Sequence, residues 1–307
     1  MPMMKPSCPT LALLLFGLIA CAAPAQGGSP ARRVVSLAPS LTELIFDLGL
    51  EAHLVGRSSA CDYPPEALAL PVAGPFGKPN TEQLQYLRAD LVLATDLERP
   101  GLLQALRRAG TETLVLPCES WDQLMVAAVT IAEALGDPEA GRTWSGEMNG
   151  RRQALERRVN AFYESRERPR VYLEIWGRPP TTAGAGTILN ETVTMAGGRN
   201  IAGGLRTGYR PISSEWVIRE DPDVIVFAYM LPGHEPAEAL RTRKGWSSLR
   251  AVRKGAMCDG IPPDWLLRPG PRLIRGAEAL AQCLMDMSEE REHAGGDGNR
   301  QTVDPGE

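Results

Sequence analysis

Thr81-Glu82-Gln83-Leu84-Gln85-Tyr86-Leu87-Arg88-Ala89-Asp90-Leu91-Val92-Leu93 recurs as Ser214-Glu215-Trp216-Val217-Ile218-Arg219-Glu220-Asp221-Pro222-Asp223-Val224-Ile225-Val226. In each copy a hydroxyl residue precedes a Glu, an amphipathic turn follows, and an Asp introduces a run of aliphatic residues, with the same Glu-to-Asp spacing. A helix-then-strand unit that occurs twice marks a chain built on one plan repeated. It predicts two lobes, one carboxylate at a matching place on each, and a cleft between them suited to a small molecule.

The sequence on either side extends the pattern. Val34-Val35-Ser36-Leu37 reads as a first strand, and Ser40 stands where it could cap a helix carrying Leu41, Leu44, Ile45 and Leu48 and ending at Gly49. A strand at Leu54-Val55-Gly56, a Pro-rich loop from Cys61 to Asn80, and the first copy of the repeat follow. A helix over about 101–109, a strand over 113–116 and a helix over 121–135 continue the alternation. Strands alternating with helices predict a parallel sheet covered on both faces. From Pro138 to Glu167 the chain is rich in Arg and Glu, with apolar Trp144, Met148, Leu155, Val159 and Phe162. This reads as one long helix, weakened by Gly146 and Gly150, that joins two α/β units. The second unit starts at Val171-Tyr172-Leu173-Glu174-Ile175 and ends in a helix near Arg272 to Met285. The fold class is therefore α/β: two lobes, each a parallel-rich sheet flanked by helices, joined by one long rigid helix. The division is a leader and linker over 1–30, a first lobe over 31–136, the connecting helix over 137–168 and a second lobe over 169–287. The polar, Gly-rich stretch 288–307 is expected to be disordered.

The N-terminus reads as an export signal. Lys5 precedes the apolar run Leu11 to Ala20, which falls short of the roughly 20 apolar residues a bilayer span needs. Leu18-Ile19-Ala20-Cys21 has the form of a bacterial lipobox, in which Cys21 would be lipidated; Ala23-Pro24-Ala25 suits ordinary cleavage instead. Both place the mature chain outside the cytoplasm, in the periplasm. Four cysteines remain beyond the leader (Cys61, Cys118, Cys258 and Cys283), and spacing alone leaves their pairing open. No CxxC or CxxH spacing marks a metal site, and the three histidines argue against a His-rich metal receptor. A net charge of -4 offers no basic footprint for nucleic acid. GxSxG, P-loop and strand-linked GxGxxG motifs are absent, so nothing points to an enzyme.

Further segments add a resemblance: Arg33-Val34-Val35-Ser36-Leu37-Ala38-Pro39-Ser40 with Thr42-Glu43, Cys61-Asp62-Tyr63-Pro64-Pro65-Glu66-Ala67, Pro179-Pro180-Thr181-Thr182-Ala183-Gly184, Ala196-Gly197-Gly198-Arg199-Asn200, and Asp264-Trp265 with Pro271-Arg272. In order and spacing, from Arg32 to Met285, the chain resembles the bacterial substrate-binding proteins of ABC importers for cobalamin, heme and ferric siderophores. The resemblance implies a non-enzymatic, monomeric receptor that takes cobalamin or a related corrinoid as transported ligand, not as cofactor. It would work with an importer permease and ATPase, and would touch the membrane only through a lipid on Cys21. It places Tyr63, Phe76 and Trp265 on the ligand cleft. Trp176, at a strand end, stays open between core and cleft edge and is a fourth candidate. Such aromatics suit a flat macrocycle because they offer broad amphipathic area at small entropic cost. Glu82 and Glu215 match the glutamates that dock on permease arginines, although a Glu in a first helical turn also favours the helix dipole. Hemin or a siderophore on the same scaffold is the rival reading. Arg178, Arg206 and Arg210 would serve an anionic ligand, and Tyr63, or His234 in its loop, could bind a metal centre. The chain also departs from the cobalamin-binding members. Thr95 and Asp96 stand where a further cleft Trp is expected. Ala196 stands where the partner of Cys283 is expected, which implies that the staple is missing and Cys283 is a buried thiol.

Overall fold

The computed structural model describes residues 32–206, 208–229, 240 and 242–296. Cys21, His234 and residues 297–307 lie outside the described residues. The strands β1 (Val34–Ser36), β2 (Leu54–Arg57), β3 (Leu91–Ala94) and β4 (Glu112–Val115) form a four-stranded sheet in the order β2-β1-β3-β4. Every pairing in it is parallel. The intervening helices are α1 (Pro39–Asp47), α2 (Thr81–Tyr86) and α3 (Pro100–Arg108). Val34, Val35, Leu91, Val92, Leu93 and Ala94 are all fully buried. Strands covered on both faces read as continuous aliphatic runs, and this is why no alternation is visible in them.

Then come α4 (Trp121–Ala134) and α5 (Pro138–Phe162), whose 25 residues span about 37 Å at 1.5 Å per residue. Gly141 lets the two cross closely: a Cβ there would lie 2.8 Å from the Cβ of Ala132 and from the Cα of Val129. The second lobe holds β5 (Arg170–Glu174), β6 (Trp176–Gly177), β7 (Pro180–Ala183), α6 (Ile188–Met195), β8 (Arg199–Asn200), β9 (Tyr209–Pro211), α7 (Ser214–Glu220) and β10 (Val224–Phe227). It closes with α8 (Arg250–Lys254), β11 (Met257–Cys258), α9 (Pro263–Leu267) and α10 (Leu273–Gly296). The second parallel sheet has the order β11-β10-β5-β8, and β6-β7-β9 form a separate antiparallel sheet.

The repeat is structural to the level of single bonds. Each copy is a helix followed by a strand at the inside of its sheet, α2-β3 and α7-β10. Asp90 accepts the backbone N–H of Arg33 at 2.9 Å, and its counterpart Asp223 accepts that of Arg170 at 2.9 Å. The Arg33 side chain donates to the Leu87 carbonyl, and the Arg170 side chain donates to that of Glu220, the equivalent residue. Arg88 (φ 48°) and Asp221 (φ 40°) also match, and they are the only non-glycine residues with positive φ among the described residues. The repeated Asp thus pins the neighbouring strand beside its own. The helices are capped by Asn80 and Ser213, each one residue before the hydroxyl of the motif.

One continuous cluster of buried side chains runs from Val34 and Leu41 through Trp144, Met148 and Leu155 on α5 to Leu173, Leu189 and Leu284. The described residues from Arg32 onward accordingly form one compact unit. The connecting helix is fastened on both sides. Trp144 Nε1 donates to Asp47 on α1 at 2.5 Å, and the Tyr163 and Ser288 hydroxyls pair at 3.2 Å.

Three expectations are corrected. Ser40 does not cap α1: Pro39 occupies the first helical turn, where its missing N–H costs nothing, and Ser40 lies buried inside the helix. The last helix does not stop at Met285 but runs to Gly296. Its polar end is held by residues distant in sequence, with Arg166 paired to Glu292 and Arg291 to Asp223. Cys283 is not a thiol: it is disulfide-bonded to Cys258 on β11, while Cys61 and Cys118 are free and buried. The last helix is therefore stapled to the second lobe, with the partner cysteine on a different segment from Ala196. Among the described residues, no helix is long and apolar enough to cross a membrane.

Candidate functional site

Parallel strands deliver all their C-terminal ends to one edge of a sheet, and loops leaving that edge are where α/β folds bind ligands. In the first lobe, β2 leads to the loop carrying Tyr63, β3 to Thr95 and Asp96, and β4 to Cys118 and Glu119. In the second, β5 leads to Trp176.

Tyr63 is 39% exposed, and the Arg272 guanidinium lies over its ring, 4.1 Å from the centroid. Arg272 and Arg268 belong to a network that crosses from lobe to lobe. Arg272 donates to both oxygens of buried Glu43 at 2.7 and 2.6 Å. Arg268 reaches Asp62 at 2.5 Å, Asp264 at 3.1 Å and Glu43 at 3.3 Å. The hydrogen bond from Arg268 holds the Asp62 carboxyl below its ordinary range. This network joins two distant pieces of sequence, so that Tyr63 and the helix carrying Trp265 flank one corner. Trp265 itself is half-buried.

Phe76 is 40% exposed on a loop pinned from beneath. Gly74 adopts φ +128°, and a Cβ there would lie 2.7 Å from the Asn80 nitrogen. The Gly77 N–H donates to buried Glu98 at 3.2 Å. Desolvation raises the Glu98 carboxyl above its ordinary value, and the Gly77 bond and Arg99 only partly offset this.

Trp176 is 45% exposed and so belongs to the surface, not the core. In the small antiparallel sheet Trp176 pairs with Thr181, Thr181 with Pro211, and Ala183 with Tyr209. Residues directly opposite share a face, as do residues two apart, so Trp176 and Tyr209 project on the same side. Tyr209, half exposed, was missed by sequence reasoning: three residues in irregular surroundings carry no strand signal. Its phenol is pushed up to about 12, first by desolvation and then by the carboxylates of Glu119 and Asp96. The second-lobe face bearing Trp176 and Tyr209 therefore lies within electrostatic reach of the strand ends of the first lobe. Desolvation, then Asp96, also pushes the Cys118 thiol up to about 12, which leaves it protonated and unreactive.

Beneath Trp176 lies a second feature that the sequence did not reveal. Glu174, fully buried at the end of β5, accepts from the Tyr172 hydroxyl at 2.8 Å, from the Tyr229 hydroxyl, and from Arg243 at 2.7 and 2.8 Å. A buried carboxylate is tolerated only when paired and hydrogen-bonded in this way. It fixes the strand end from which Trp176 emerges.

Among the described residues, none of three surface recesses is lined by more than one of the four predicted aromatics. Recesses of about 840, 560 and 270 Å³ open on the described surface, and only the smallest, behind Tyr63, contains any of them. The largest is lined by α4, α5 and α6 with paired arginines and carboxylates. Glu82 and Glu215 are both exposed in the first turns of α2 and α7, as the repeat requires. Among the described residues, no group of three or more His, Cys, Asp or Glu is gathered to hold a metal ion.

A family model described as periplasmic binding protein matches residues 34–260. An uncharacterized ABC transporter substrate-binding lipoprotein of Bacillus subtilis is 28% identical over 258 residues, covering 82% of this chain and 80% of its own. The structure resembles that of the periplasmic vitamin B12-binding protein of Vibrio cholerae, with TM-score 0.71, 27% identity, and coverage of 84% of this chain and 98% of that one. It also resembles a periplasmic heme-binding protein from Pseudomonas aeruginosa, with TM-score 0.74, 28% identity, and coverage of 84% and 94%.

Proposed function

Since the chain belongs to the periplasmic binding protein family, we propose that it is the substrate-binding protein of an ABC importer, capturing cobalamin or a related corrinoid between its lobes and passing it, chemically unchanged, to a permease and its ATPase. The observation that carries the choice of ligand is the cleft wall. An aromatic face of Trp176 and Tyr209 stands within reach of two exposed carboxylates, Asp96 and Glu119. Flat apolar area suits a macrocycle. Carboxylates accept hydrogen bonds from the carboxamide arms of a corrinoid and repel the propionates of heme. Tyr63, Phe76 and Trp265 complete the aromatic lining. Glu82 and Glu215 dock on the permease. The Leu18-Ile19-Ala20-Cys21 leader fits a periplasmic chain held by lipid on Cys21. We divide the chain into a first lobe over 31–136, the connecting helix over 137–168 and a second lobe from 169. With α5 and a continuous core spanning both lobes, capture takes place with little hinge motion.

The test is equilibrium dialysis of radiolabelled cyanocobalamin against the chain without its leader, and against Trp176→Ala and Tyr209→Ala. Each variant is expected to bind about tenfold more weakly, the scale of losing a buried aromatic contact. Unchanged affinity in both would overturn the cleft assignment.

A further inference from the structure

The repeat gives the two lobes equivalent helices, α2 and α7, and what surrounds the two glutamates differs. On α2 the exposed residues are Thr81, Glu82, Gln85 and Tyr86. Glu82 and Tyr86 are four apart and share a face, and Tyr86 is 80% exposed, the most exposed large apolar side chain of the described residues. Val72 (44%) and Leu68 (55%) are exposed in the same lobe. Leu87 at the end of α2 and the Pro71 carbonyl would both meet a Cβ on Gly56, so the Pro71-Val72 edge runs beside that helix end. On α7 the residues equivalent to Gln85 and Tyr86 are Ile218 and Arg219. Glu215 there stands on the rim of the recess of about 560 Å³, lined also by Ile218, Arg178, Pro180 and Lys244 and floored by Arg243, which Glu174 neutralises. Among the described residues, the exposed large aromatics of the second lobe are Trp176 and Tyr209, which the proposed function assigns to the cleft. One lobe thus offers a carboxylate beside a projecting aromatic, and the other a carboxylate beside a cation-rimmed hollow.

We infer that the two docking faces are not interchangeable: Tyr86 is an aromatic anchor on the permease beside Glu82, and the hollow beside Glu215 receives a protruding permease segment. This rests on the docking reading of Glu82 and Glu215. The partner is a transmembrane subunit presenting cations to Glu82 and Glu215. Aromatic residues at the centre of such a contact hold most of the binding energy, whereas rim charges set register and encounter rate.

The experiment uses the source bacterium lacking its own copy, complemented with variants, and measures uptake of radiolabelled cyanocobalamin alongside the affinity of each purified variant. Tyr86→Ala is expected to lower uptake about tenfold at limiting receptor, with affinity for cyanocobalamin within about twofold and an unchanged melting temperature. In parallel, p-benzoylphenylalanine at Tyr86 and at Lys244 is photocrosslinked in cells and the captured peptides are mapped. The two positions are expected to capture different segments of polytopic importer subunits. If Glu82→Arg and Glu215→Arg block uptake while Tyr86→Ala does not, or if both positions capture the same segment, the inference fails and the docking reading stands. If the two Arg variants leave uptake intact, the docking reading itself fails. If the wild-type chain restores no uptake, the corrinoid reading fails.

Discussion

Replacing Glu43 by Ala tests how the lobes are held together. Its side chain is 2% exposed, lies on α1 of the first lobe and accepts three charged bonds from the second. Deletion leaves Arg272, 12% exposed, with the Tyr63 ring and, as its remaining carboxylate among the described residues, Asp264 at 3.6 Å. Arg268 keeps Asp62 and Asp264. Breaking a buried pair costs about 3–5 kcal/mol because the remaining charge is stranded. The retained partners put Glu43→Ala at the low end, about 3 kcal/mol. Asp62→Ala removes another carboxylate of the same network, but that side chain is 56% exposed and its loss should cost about 1 kcal/mol or less. The assay is equilibrium urea unfolding of the leaderless chain with the disulfide intact, followed by near-UV and far-UV circular dichroism so that a non-coincident transition is detected. An Arg272→Ala variant and the double variant complete a cycle that isolates the pair. If Glu43→Ala costs no more than Asp62→Ala, or the cycle shows no coupling, the seam does not hold the lobes as described.

Three further outcomes are expected. Cys258→Ala with Cys283→Ala opens a link between residues 25 apart and should lower unfolding stability by roughly 3 kcal/mol, seen as a lower urea midpoint; no change would mean the staple is dispensable. The raised Glu98 carboxyl binds its proton more tightly in the folded than in the unfolded state, so its stabilising effect is complete below the ordinary value of 4.5 and is lost as pH rises through the folded value. Glu98→Gln should therefore remove that dependence and raise the neutral-pH melting temperature, whereas a drop would show that the charged form is needed. Cyanocobalamin whose amide arms have been hydrolysed to carboxylates should bind about tenfold more weakly than the parent, and Asp96→Asn with Glu119→Gln should narrow that gap; equal binding by the wild type would remove the role given to those carboxylates.

The repeat was legible because its chemistry is local: a Glu in a first helical turn, an Asp immediately before a buried strand, and an aliphatic run lie within thirteen consecutive positions. Asp90 and Asp223 could be seen as equivalent before their bonds to Arg33 and Arg170 were known. The two lobes and the connecting helix followed from that repeat and from the Arg- and Glu-rich stretch after Pro138. What stayed hidden depends on residues far apart in sequence. The Cys258 partner of Cys283 is visible only once β11 is seen beside the last helix. The polar turns after Met285 look unstructured until Tyr163, Arg166 and Asp223 are placed against them. Tyr209 carries no signal on its own and gains meaning only from a face shared with Trp176 across strands of two to four residues. Glu174 looks like any strand-end acid until Tyr172, Tyr229 and Arg243 surround it.

The most direct measurement is a calorimetric titration of the leaderless chain with cyanocobalamin, followed by one with hemin monitored at its Soret band. One-to-one binding of cyanocobalamin with a submicromolar Kd (more than about 8 kcal/mol), and at least tenfold weaker binding of hemin, is the predicted result. Stoichiometric hemin binding with no heat from cyanocobalamin would contradict the corrinoid assignment.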